Sequence, residues 1–359
     1  MSVSGRAAKR TGAGEPAADP FQEQRRCALR TSAHLLGGQF QFETDSPELL
    51  RLVSRAFGKL PAHKLPRAGP PMRVKLVLTP SARASAVSQA ENEPPPLRTA
   101  SGYTILCGAS EPANFVAVTA KDREALVVVS PLMLEFPYHV RYELLEFAVY
   151  TLAARAQSLV PLHGACVGAA GRGLLLLGSS GAGKSTLALH CLLQGFDFIA
   201  EDSVLVRPDG LLATGLANFL HIRADSLHLL PGSGAAARAI RRSPLIRRRS
   251  GVQKLEIDLR QRHFNLAPAP LPIAAVIMVS ARSAGGRSLL SPLRGSVLLE
   301  QLAACQRYAA NQPGWAAFTR KVARLPSFEL RRGSEPLESV NALQELLGKP
   351  RKARRQGGP

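Results

Sequence analysis

Aromatic side chains make up only 5% of this 359-residue chain, with a single tryptophan, so the sequence offers no obvious platforms for stacking bases. No apolar run is long enough to span a bilayer, so a membrane location is not expected. The first 24 residues hold basic side chains but no apolar core, which excludes a secretory leader from the expectations. Cysteine is sparse as well. Cys27, Cys107, Cys166, Cys191 and Cys305 are scattered, with no CxxC and no Cys/His cluster, which argues against a disulfide framework or a zinc site and fits a reducing cytoplasm.

Acidic residues are also outnumbered: 46 Lys and Arg face 26 Asp and Glu, a net charge of +20. Such an excess can attract nucleic acid or acidic partners. Much of it sits in two arms, Arg6 to Arg26 and Lys349 to Arg355, and in a block from Arg238 to Arg249. With Phe21 the single aromatic residue among them, the arms read as solvated tails, and nucleic acid is not the expected partner.

Against these absences, hydrophobic residues reach 45%, enough for a sizeable core. Asp45-Ser46-Pro47-Glu48 predicts a helix start with Ser46 as N-cap, the helix closing at Gly58. Strands are expected at Arg73–Leu78, Tyr103–Cys107, Asn114–Thr119 and Ala125–Val129, with a loop over Ser81–Pro96. A long amphipathic helix is expected over Val140–Leu159. Short apolar strands follow at Cys166–Gly168, Leu174–Leu177, Phe196–Ala200, Val204–Val206 and Ile273–Val279, with a helix from Gly295 to Ala309. Lys254–Leu259 alternates like an exposed edge strand without a chemical role, and His221, Arg223 and His228 read as strand and loop structure before they read as lining of a nucleotide pocket.

The most informative run is Gly178-Ser179-Ser180-Gly181-Ala182-Gly183-Lys184-Ser185, which fits G-x-x-x-x-G-K-[ST]. It follows the apolar Leu174–Leu177 and opens a helix-like stretch from Thr186. Glycines let backbone amides converge on phosphate oxygens, and the helix N-terminus adds a positive dipole end. Lys184 would reach the terminal phosphates, and the Ser185 hydroxyl would ligate Mg²⁺. After Gly195, a helix stop, the strand Phe196–Ala200 terminates in Glu201-Asp202. A carboxylate at the end of an apolar strand is the usual partner of such a loop, because Mg²⁺ prefers hard oxygen ligands. Cys166 and Cys191 read as core residues, and Arg241 to Lys254 as a solvated loop or a cationic lid over the phosphates.

Together, Leu162-His163-Gly164-Ala165-Cys166-Val167, the run Gly178–Ser185, and Gly195-Phe196 with Ile199-Ala200-Glu201-Asp202 resemble the catalytic domain of HPr kinase/phosphorylase. The resemblance is clear over roughly 160–210 and fades by 260. It implies an α/β fold: a phosphate-loop catalytic domain of the HPr kinase/phosphoenolpyruvate carboxykinase type, a mixed sheet with flanking helices, preceded by a smaller α+β domain. The corresponding division is a disordered basic arm at 1–24, an α+β domain at 25–135, the kinase domain at 136–347 and a basic tail at 348–359.

The resemblance further implies transfer of the γ-phosphoryl of ATP, with Mg²⁺, to a hydroxyl of a protein serine or a small molecule. A cytoplasmic homo-oligomer is expected on the same ground. Gly178 to Ser185 and Thr186 would bind the nucleotide, Ser185 and Asp202 would hold the metal, and Glu201, His163 and Lys184 would be catalytic. Two departures stand out: the family's acidic pair is Asp-Asp where this chain has Glu201-Asp202, and the family's Glu-Ile-Arg-Gly segment is missing. The glutamate is also what speaks for an alternative, a non-catalytic ATP-binding module.

Overall fold

A computed structural model describes residues 27–79, 94, 98–102, 105–111, 114–230 and 233–348. The expected arm over 1–24, the tail beyond 348, Tyr103 and Thr104 of an expected strand, and all of the Ser81–Pro96 loop except Pro94 lie outside these residues.

A seven-stranded sheet comes first, in the spatial order Leu29–Leu35, Gly38–Thr44, Met72–Leu78, Glu124–Val129, Asn114–Thr119, Ile105–Glu111 and Arg98–Gly102. Alternation places Phe40 and Phe42 on its buried face, where Phe42 stacks on Phe57 at 5.4 Å. Phe57 belongs to the helix Pro47–Phe57, capped by the Ser46 hydroxyl accepting from the Leu49 amide, as its sequence predicts. Leu49, Val53, Ala56 and Phe57 bury one stripe of that helix against the sheet.

The helix expected over Val140–Leu159 divides into a π-helical stretch, Val140–Glu146, and an α-helix, Phe147–Ala156. The wide turn has a use. Five-residue spacing brings Arg141 and Glu146 onto one face, where their side chains pair at 2.9 Å. Ser158, at φ 53°, ends the helix, and the chain enters the strand Val160–His163.

The second sheet is mixed. Its main path runs Asp197–Ala200, Ala165–Ala169, Arg172–Leu177, Leu271–Ser283, Leu212–Thr214, Ser203–Arg207 and Val160–His163. Ser327–Arg332 also pairs with Leu271–Ser283, in parallel, and Leu290–Pro292 joins it. Arg172–Leu177 runs parallel to Leu271–Ser283, and its Leu174, Leu175, Leu176 and Leu177 are fully buried, two facing each side of the sheet. Helices Lys184–Leu193 and Pro336–Leu347 cover one face, and Gly295–Cys305 and Trp315–Val322 the other.

A three-stranded antiparallel sheet, Phe219–Arg223, Gln253–Asp258 and Leu245–Arg247, completes the fold. The expectation of an exposed edge at Lys254–Leu259 is corrected here. The strand is central, and Leu255, Glu256 and Ile257 are buried. Alternation misleads because Glu256 is buried as the partner of Arg141 and His221 rather than exposed as a solvated charge. The helix expected over Gly295–Ala309 is likewise broken at Gln306 into Gly295–Cys305 and Arg307–Ala310.

Candidate active site

The run 178–183 forms the turn between the strand Arg172–Leu177 and the helix Lys184–Leu193. Gly178, Gly181 and Gly183 all take positive φ, at 141°, 78° and 100°. At Gly178 a Cβ would stand 2.4 Å from the Val279 carbonyl oxygen, so only glycine lets the turn leave the sheet there. Nothing lies within 4 Å of the Cβ positions of Gly181 and Gly183, so the outer turn faces open space. Ser179 and Ser180 are exposed, Ala182 is buried, and Thr186 sits in the first helical turn.

Lys184 folds back under the turn, where its ammonium donates to the Gly178 carbonyl at 2.9 Å and the Ser179 carbonyl at 3.0 Å. Burial lowers its proton affinity, and the charge of Asp202 works against that shift. The helix ends in a 6→1, 5→2 pair of bonds, Phe196 to Cys191 and Gly195 to Leu192, with Gly195 at φ 86° as the expected stop. That closure feeds Phe196 directly into the strand Asp197–Ala200, which delivers Glu201 and Asp202 back beside the turn.

The two acids are neighbours in sequence and opposites in environment. Glu201 accepts a short hydrogen bond from the Ser185 hydroxyl. Burial raises its proton affinity, the adjacent Asp202 charge raises it further, and the Ser185 bond only partly offsets them. Asp202 occupies the left-handed region at φ 74°. Its Oδ1 lies 3.1 Å from His163 Nδ1, its Oδ2 accepts from the Tyr142 hydroxyl at 3.1 Å, and Arg248 Nη2 stands 3.6 Å away. Burial alone would raise this carboxyl, but the His163 hydrogen bond and the Arg248 charge outweigh it and hold Asp202 well below the ordinary range.

His163 is fixed from behind. Its backbone N–H donates to Gln306 Oε1 at 2.8 Å, and Gln306 Nε2 returns a bond to its carbonyl at 2.9 Å. The break at Gln306 turns that amide towards the strand rather than along the helix. A cavity of about 380 Å³ opens beside His163 and Asp202, walled by Phe147, Tyr150, Leu205 and Tyr308.

The structure therefore gathers Lys184, Ser185, Glu201, Asp202 and His163 into one cluster. The same cluster holds Tyr142, Arg248 and Gln306, with the half-buried Lys254 in electrostatic reach of both acids; the sequence did not point to Tyr142 or Gln306. For Arg248 and Lys254 the signal was the basic block itself. His221 borders the cluster: its ring packs edge-on to Tyr142 at 5.7 Å, its charge reaches Glu201, and it is buried on Glu256 at 3.3 Å. Among the described residues no group of three or more His, Cys, Asp or Glu is arranged to hold a metal ion alone, and no helix is long and apolar enough to cross a membrane.

Residues 154–223 match the family model described as the HPr Serine kinase C-terminal domain. The HPr kinase/phosphorylase of Listeria welshimeri is 38% identical over 58 residues, which is 16% of this chain and 19% of that protein. That of Chlorobium chlorochromatii is 42% identical over 55 residues, 15% of this chain and 16% of that protein. Over this segment the chain is similar to HPr kinases. The matches span less than a fifth of the length of these curated relatives. A solved structure, the Hpr(Ser) kinase/phosphatase from Coxiella burnetii, overlaps with a TM-score of 0.24 at 12% identity, covering 52% of this chain and 94% of that one. The HPr-kinase-related segment contains His163, Lys184, Ser185, Glu201 and Asp202, whereas Tyr142, Arg248, Lys254 and Gln306 lie outside it.

Proposed function

We propose that this chain is a phosphotransferase that moves the γ-phosphoryl of ATP, with Mg²⁺, onto a hydroxyl acceptor, a protein serine or a small molecule. The observation that carries the reading is the meeting of Ser185 and Glu201: the turn of the Gly178–Ser185 motif and the acidic strand end share a hydrogen bond.

The donor set fits the magnesium salt of a triphosphate. Ser185 and Asp202 offer hard oxygens, and the outer turn at Gly181 and Gly183 is free of other protein atoms. Ser185 and Asp202 would hold the metal, which supplies neutralisation of phosphate charge when bound. Lys184, now turned onto two loop carbonyls, would exchange them for β- and γ-phosphate oxygens. Glu201 is the better base of the two acids, since its surroundings favour the protonated form while those of Asp202 favour the ion. It takes the hydroxyl proton as the acceptor oxygen bonds to phosphorus and the bond to the bridging oxygen breaks. His163 lies beside the cavity of about 380 Å³, on the side where an acceptor can approach.

One observation favours the alternative, an ATP-binding module without turnover: Glu201 is already engaged by Ser185. The same experiment separates the two. Incubation with γ-labelled ATP, Mg²⁺ and cell extract should label an acceptor, and Lys184→Ala should cut the rate by about 10²–10³-fold. Labelling that survives in Lys184→Ala would sink the kinase, and tight ATP binding with no turnover would establish the module.

A further inference from the structure

The basic block Arg247-Arg248-Arg249 has no place in the reading above, and its three members have different surroundings. Leu245–Arg247 pairs antiparallel with Gln253–Asp258, so the block forms the rising side of a hairpin. The tip is closed by the Arg248 amide on the Val252 carbonyl at 3.0 Å and the Gly251 amide on the Arg248 carbonyl at 2.9 Å. Arg249 fastens that tip to the π-helical stretch, donating to both carboxylate oxygens of Glu143 at 2.7–2.9 Å. Glu143 in turn meets His139 at 3.0 Å.

Arg248 is thereby held over the acidic pair without completing a bond to it. Its guanidinium lies 5.4 Å from the centre of the Tyr142 ring. Its Nη2 is 3.6 Å from Asp202 Oδ2, too far for a hydrogen bond, and that oxygen already accepts from Tyr142. Nε and Nη2 are both buried, with no hydrogen-bond partner among the described residues. Leaving such donors unmatched is costly, and the Tyr138 hydroxyl, buried and likewise unmatched, stands beside them. Asp202 does not complete them, since its nearer oxygen stays 3.6 Å from Nη2. On the outer side, a cavity of about 720 Å³ between Phe136–His139 and Ile246–Gly251 gives the arginine room to shift.

We propose that Arg248 is a catalytic arginine supplied by the hairpin tip, donating to the oxygens of the phosphoryl group in flight. This assignment rests on the kinase reading. As Glu201 takes the acceptor proton and the phosphorus exchanges its bridging oxygen for the acceptor oxygen, Arg248 leaves Asp202 and binds two equatorial oxygens through its fork. Arg249 keeps the tip docked while it does so. Lysine has no such fork, so Arg248→Lys should not restore the function.

The test uses the full chain with Mg²⁺, ADP and aluminium fluoride as a mimic of the transferring group. In the wild type, fluoride and aluminium should tighten ADP binding. Arg248→Ala should bind ADP alone within twofold of wild type, lose that tightening, and turn over about 10²–10³-fold more slowly, with a Tm loss no larger than that of Asp202→Asn. Arg247→Ala, which removes an equal charge one residue away, should behave as wild type. Turnover of Arg248→Ala within threefold of wild type, or retained tightening by aluminium fluoride, overturns the proposal. A parallel loss of ADP affinity and Tm overturns it too, since that marks a structural role. If Lys184→Ala is inactive while Arg248→Ala is active, only this assignment falls; if Lys184→Ala is as active as wild type, the kinase reading falls with it.

Discussion

The two sides of the candidate site are built in opposite ways. The side built on the Gly178–Ser185 turn is local: nearly everything from Gly178 to Asp202 arrives in one turn, one helix and one further strand. Its conformation depends on glycines at positive φ and on a helix stop at Gly195. The facing side is assembled from distant chain: Tyr142 from the π-helical stretch, Arg248 from the hairpin tip and Gln306 from a helix break. Its conformation depends on a buried polar network. Local construction leaves a motif in the sequence, and assembly from afar leaves none.

The sharpest way to break the assembled side is to remove its buried hub. Arg141, 1% exposed, pairs with Glu146 at 2.9 Å and with Glu256, which also meets His221 at 3.3 Å. Asn218 adds a bond to Glu146 at 2.7 Å. Arg141→Ala strands two buried carboxylates and should destabilise the fold by about 3–5 kcal/mol in denaturant titration. The loss should shrink on acidification, because protonating Glu146 and Glu256 removes the stranded charge. A loss under 1 kcal/mol would mean that the hub is dispensable, and the contrast between the two sides would fail.

The local side should break at one glycine. In Gly178→Ala the new Cβ meets the Val279 carbonyl at 2.4 Å, at a φ of 141° that an alanine resists. The expected cost is about 2–3 kcal/mol, with nucleotide affinity reduced because the whole turn must shift. Gly181→Ala is the comparison, since it meets nothing within 4 Å and suffers from φ alone. Equal losses at the two positions would show that close approach to the sheet is not what selects glycine at 178.

These contrasts explain what was legible in the sequence. Ser46 with Pro47, the loop glycines and Gly195 are each tied to a backbone requirement that one or two residues can meet, so the first helix and the turn between strand Arg172–Leu177 and helix Lys184–Leu193 could be read directly. Lys254–Leu259 could not, because a buried Glu256 looks like a solvated one until Arg141, 115 residues away, is placed beside it. The π-helical stretch was hidden for the same reason: its turn width serves the Arg141–Glu146 pair, and periodicity alone reads it as α. Arg248 was visible only as charge. The sequence of the block does not say which of its arginines is latched to Glu143 and which stands beside Asp202.

The finest prediction concerns the two acids, where the local and assembled sides meet. Glu201 has a raised proton affinity in the fold, so its ionised form costs stability at neutral pH, and that cost disappears as pH falls below the unfolded value of about 4.3. Asp202 is lowered by His163, Arg248 and Tyr142, so its ion adds stability above the unfolded value of about 3.9, lost as pH falls through the lower folded value. Isosteric neutralisation should therefore move Tm in opposite directions at pH 7: Glu201→Gln upward and Asp202→Asn downward, each by about 2–4 °C. At pH 4 the Glu201→Gln gain should largely vanish, while most of the Asp202→Asn loss should persist at pH 3, because the folded carboxyl is still ionised there. Adjacent carboxylates on one strand end share solvent, salt and backbone, so opposite signs can come only from their partners. Shifts of the same sign would mean that the Ser185 contact and the three-sided hold on Asp202 do not divide the pair, and the assignment of base to one and metal ligand to the other would lose its physical ground.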